Sequence, residues 1–128
     1  MLRRETVVPW LCGALLGFLA YLPASFHLGA DTNWPRWSVL LLCAILAAPI
    51  HVVVELTFPL WGYLGAPGHW IVAALTAGLY HGTVAVWLAR VYRRRPRRAY
   101  LLGTALLVLQ FCLYVIWQNV SLARIPPG

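Results

Sequence analysis

Four long apolar stretches, separated by short segments of glycine, proline and charge, set the pattern of this chain. They run from about Thr6 to Phe26, Trp37 to Phe58, His69 to Ala89 and Ala99 to Ala123. Each supplies the roughly 20 helical residues that cross a hydrocarbon layer about 30 Å thick. The first connection contains Gly29, Asp31, Asn33 and Pro35; the second contains Pro59, Gly62, Gly65, Pro67 and Gly68. The third, Arg90 to Arg98, contains Pro96. Such residues punctuate helices. The stretches lack the in-out alternation of barrel strands. Lipid offers a spanning backbone no hydrogen-bond partner, so each stretch must satisfy itself as a helix. The expected fold is all-α: one domain over residues 1–128, a polytopic bundle of about four transmembrane helices with short loops.

Composition strengthens this picture. Of 128 residues, 62% are hydrophobic and 10% charged, whereas a soluble domain is just under half apolar and about a quarter charged. The net charge of +7 comes from ten basic and three acidic residues. Every basic residue is arginine, and Arg90, Arg93, Arg94, Arg95, Arg97 and Arg98 fall in one connection. A nucleic-acid surface would interleave basic with polar residues over a face, which this clump does not do. A basic clump between apolar stretches reads as a cytoplasmic loop, able to attract anionic lipid headgroups. Alternating crossings then place both termini outside. Trp10, Trp61, Trp70 and Trp117 would mark the outer helix ends, and Trp34, Trp37 and Trp87 the inner ones. Arginine without lysine, with abundant alanine, glycine and proline, suggests a GC-rich bacterial genome and hence an inner membrane.

The candidate chemistry lies in the spans. Pro49 interrupts the second and predicts a kink. Cys43, Ala47, His51 and Glu55 recur every four residues on one helix face. His81 lies inside the third span beside Tyr80, and Gln110, Tyr114 and Gln118 share a face of the fourth. Ionisable groups inside a span are costly and usually point into the bundle, so these stripes predict a polar seam. That seam could carry protons or a solute along His51 and Glu55. It could ligate haem or a metal ion through His51 and His81, although no HxxxH spacing occurs. It could also serve acid–base catalysis, or simply hydrogen-bond one helix to another. No cofactor is assigned. Cys12, Cys43 and Cys112 form no CxxC pair and are expected as small buried residues.

Gly13 with Gly17, and Ala74 with Gly78 and Gly82, form small-residue stripes that let helices approach closely. No phosphate loop, paired-carboxylate set or nucleophile triad is present. The expected function is therefore non-enzymatic: helix association, as an accessory or scaffold subunit of a membrane complex or as a homo-oligomer. Membrane lipids and other membrane subunits are its expected partners. The alternatives are a small transporter or channel using His51 and Glu55, and a haem- or metal-binding redox protein using His51 and His81.

Overall fold

The computed structural model describes residues 3–26 and 34–123. Among them the chain is helical almost throughout and has no strand. Four helices are long and apolar enough to cross a membrane. Helix α1 is Arg4–Phe26 and α2 is Trp34–Leu56. A single turn, Phe58–Trp61, and a 3-10 turn, Gly62–Leu64, lead into α3, Ala66–Arg94. Helix α4 is Pro96–Ala123.

The breaks have local causes. Gly65 takes φ +67 at the turn before α3, a left-handed conformation that glycine adopts without steric cost. Arg95 is extended, at φ −148 and ψ 84, as a residue before proline prefers. Pro96 then opens α4, where its missing N–H costs nothing. This starts α4 three residues before the expected Ala99. The second connection is likewise tighter than Pro59–Gly68: Trp61 donates from Nε1 to Val54 O at 3.1 Å and to Thr57 Oγ1 at 3.1 Å, which folds the turn onto the end of α2.

Helix directions follow from the contacts. Gly13 of α1 abuts His81 and Ala85 of α3, Gly17 abuts His81, and Tyr21 reaches His69. Helices α1 and α3 are therefore antiparallel. Leu46 meets His81 and Val54 meets Trp61, so α2 and α3 form an antiparallel hairpin. Helix α4 returns along α3, pairing Tyr92 with Tyr100 and Tyr80 with Gln110. It follows that α1 and α2 run side by side in the same direction, with Tyr21 against His51. Helices α1 and α4 flank the α2–α3 hairpin and scarcely meet.

The helix directions do not alternate strictly along the chain. The start of α1 lies beside the arginine loop, where Arg93 Nη1 donates to Glu5 Oε2 at 2.8 Å. Trp10 accordingly starts from the half of the bundle that carries Trp87, with its ring against Gly78 and Gly82, and not with Trp61, Trp70 and Trp117. The physical reason is that side-chain fit, here glycine faces against His81 and Ala85, selects the partner of a helix. Shortness of the linker does not. The connection itself, residues 27–33, lies outside the described residues.

The core is built largely of alanine: Ala20, Tyr21, Ala44, Ala47, Ile50, Val54, Trp61, Ala73 and Ala77 pack between α1, α2 and α3. Small side chains bring these three helices close, which maximises van der Waals contact where lipid supplies no hydrophobic drive to association. Helix α4 is different. Only 6% of its span is buried inside the chain, against 22%, 33% and 28% for the other three.

Candidate functional site

The middle of α3 is a π-helical segment, Ala77–Gly82. Such a segment closes i→i+5 bonds, shifts the phase of the helix and recurs at functional sites. Before it, Ala73 and Thr76 face the core; within it Ala77, Gly78, His81 and Gly82 are buried. The shift breaks the expected stripe. Gly78 and Gly82 do sit against Trp10, and a methyl group at Gly82 would lie 2.6 Å from Trp10 Nε1. Ala74 instead faces outward.

The same segment fixes His81. Its ring lies over Gly17, where any side chain would collide with it. Its Nε2–H donates to Leu46 O at 2.6 Å. Leu46 lies in the turn of α2 before Pro49; the proline removes the N–H that would serve the neighbouring Ile45 carbonyl. His81 is 9% exposed, and its Nδ1 is buried without a partner.

The preceding residue, Tyr80, reaches α4. Gln110 Nε2 donates to Tyr80 Oη at 2.9 Å. Gln110 is 7% exposed, and its Oε1 has no partner. These three side chains line a cleft of about 380 Å³ between α1, α3 and α4. Its walls are apolar, formed by Leu16, Leu46, Val84, Leu88 and Leu107. Leu16, Tyr100, Thr104 and Leu107 are exposed at its rim, so the cleft opens through the gap between α1 and α4. A mostly apolar hollow with a few converging polar groups is the usual form of a small-molecule site.

A second polar cluster sits toward the far end of the bundle. Tyr21, 1% exposed, shares a hydrogen bond between its hydroxyl and His69 Nε2. The His51 ring packs on Tyr21 with centroids 4.8 Å apart, and its Nε2 is buried without a partner. Trp61 and Trp70 wall His69, with centroids 5.7 and 5.0 Å away. The fold thus brings two imidazoles to one tyrosine. Among the described residues no group of three or more His, Cys, Asp or Glu comes together.

The expected seam is divided accordingly. His51 belongs to the Tyr21 cluster and His81 to the cleft, while Glu55 is exposed. One helix face carries Ala47 inward and His51 half-buried, but one turn on it is Val54 that packs into the core, and Glu55 beside it is exposed. Of the fourth-span stripe, Gln110 lines the cleft, Tyr114 packs against the core and Gln118 is half-buried. Gly13 and Gly17 serve as the expected packing face. Cys43 is half-buried, whereas Cys12 and Cys112 lie on the outer surface, correcting their expected burial. The arginines of the loop are exposed, and Arg90, Arg93 and Arg94 with Arg3 border a hollow that also holds Glu5 and Trp87.

Sequence reasoning missed Tyr21 and the partnership of Tyr80 with Gln110. Tyr21 carried a signal, since it is a polar aromatic inside an apolar stretch. The π-helical segment left only the Gly-Leu-Tyr-His-Gly run, residues 78–82, as its trace. Compared with protein-family models, curated proteins and solved structures, the chain matches none.

Proposed function

We propose that this chain is a multi-pass integral membrane protein that works by helix association, as an accessory or scaffold subunit or as a homo-oligomer, and not by catalysis. The observation that carries this reading is α4. A helix with so few residues fully buried in its own chain keeps its outer face open to other contacts. One outer face combines small with apolar residues: Thr104 and Ala105 lie among Leu101, Val108 and Leu109 along an open groove. Small residues on a lipid-facing helix favour close approach of another helix. His51 and His81 have different partners and Glu55 is exposed, which favours association over a proton path along that face.

The arginine-rich end is proposed to face the cytoplasm of a bacterial inner membrane. Eight described arginines gather there: Arg3, Arg4, Arg90, Arg93, Arg94, Arg95, Arg97 and Arg98. An excess of arginine on one side orients a membrane protein.

The test is the size of the full chain extracted in mild detergent, by native electrophoresis with light scattering. Wild type is expected above monomer mass or with a stoichiometric partner, and Ala105→Trp is expected to reduce it to monomer. A strictly monomeric wild type with no co-purifying protein would overturn the reading.

A further inference from the structure

The cleft contains a polar pair that its own protein does not satisfy, and this goes beyond the association reading. As placed, Gln110 Nε2 donates to Tyr80 Oη, leaving the tyrosine O–H without an acceptor and Gln110 Oε1 without a donor. Turning the amide over lets Tyr80 donate to Oε1 but leaves both N–H donors of the amide unmet. In either state an unmet donor remains in an apolar cleft, where such a group is costly. Gln110 is also more than nine-tenths buried, so water is not its ready partner.

We propose that the cleft binds an apolar, membrane-resident alcohol whose hydroxyl group bridges Tyr80 and Gln110. A hydroxyl is the small group that both donates and accepts. It can take the Tyr80 proton and give its own to Gln110 Oε1, or accept from the turned amide. A carbonyl or ether oxygen only accepts: with the amide as placed it would leave Oε1 orphaned, and with the amide turned it could give nothing back to Tyr80 Oη, whereas a hydroxyl closes the network in both states. The leucine and valine walls suit a hydrocarbon body, and the mouth lies between the exposed apolar flanks of α1 and α4. Tyr80 and Gln110 lie near the middle of their helices, about 20 Å from either end at 1.5 Å per residue, a depth that favours a lipid-soluble ligand over a water-soluble one. The volume, about 380 Å³, falls in the small-molecule range.

The test uses the full chain in phosphatidylcholine nanodiscs, with empty nanodiscs as reference. Radiolabelled dodecanol and farnesol are titrated, and dodecane and dodecyl methyl ether serve as matched probes. Saturable binding of at least one alcohol is expected, about tenfold tighter than the ether, the size of one neutral hydrogen bond at the upper end of its usual range. A preference for dodecanol would indicate a linear lipid alcohol, and one for farnesol an isoprenoid. Tyr80→Phe and Gln110→Leu should each weaken alcohol binding about tenfold, and Glu55→Gln should leave it unchanged. Where Gln110→Leu fails to fold, Tyr80→Phe decides alone, with helicity checked by circular dichroism. Equal retention of alcohol and ether, retention no greater than in empty discs, or a folded Tyr80→Phe that binds like wild type would overturn the proposal. A second copy filling the cleft would appear as a dimer that retains no alcohol, and would overturn it too.

Discussion

The closeness of α1 to α3 can be tested with one methyl group placed in two positions. At Gly13 an added methyl carbon would lie 2.5 Å from the His81 carbonyl oxygen and closer still to Ala85 Cβ. Ordinary contact between such atoms is about 3.5 Å or more, so the helices must part by roughly 1 Å. The obstacle is backbone and a Cβ, neither of which can rotate away. Overpacking of this kind costs about 1–3 kcal/mol. At Gly103 of α4 the same methyl would meet nothing within 4 Å. There Gly→Ala should stabilise by roughly 0.5–1 kcal/mol through helix propensity. Reversible unfolding in mixed micelles of rising dodecyl sulfate content, followed by tryptophan fluorescence, measures both. Gly13→Ala should shift the midpoint down and Gly103→Ala should leave it level or raise it. Equal shifts for the two variants would refute the packing described for α1.

Three further outcomes are expected. Tyr21→Phe should destabilise the bundle by about 1 kcal/mol, and a double-mutant cycle with His69→Ala should return most of that as coupling; full additivity would show that the two side chains do not interact. His81→Phe keeps a ring over Gly17 but removes the donor to Leu46 O, so a loss of about 0.5–2 kcal/mol is expected in the same unfolding titration, and no loss would mean the bond contributes nothing. Single cysteines placed at Arg3 and Arg95, in a chain whose native cysteines are replaced, should react with an impermeant maleimide from the same side of sealed vesicles; labelling from opposite sides would refute the placement of α1.

The architecture was legible where the physics is one-dimensional. Hydrophobic length alone finds four helices, because a span is a property of consecutive residues. Glycine and proline find the breaks at Gly65 and Pro96 for the same reason. The direction of α1 was not legible. It depends on Gly13 and Gly17 meeting His81, a fit between residues distant in sequence that no local pattern encodes. The site was half legible. His51, His81 and Gln110 stood out because polar groups are rare in oily stretches, but assigning them to one seam assumed uniform 3.6-residue helices. The π-helical segment rotates His81 toward α1 and α2, and Tyr80 is left to pair with Gln110.

The fit of α1 against α3 also has a consequence in time. Protein synthesis adds about 5–20 residues each second, and His81 emerges roughly 60 residues after Gly17. On the order of 3–12 seconds must therefore pass before α1 can meet the surface it finally covers. Through that interval the bare glycine face is available to any helix nearby, which makes the order of helix delivery, and not only the final packing, a determinant of how this fold assembles.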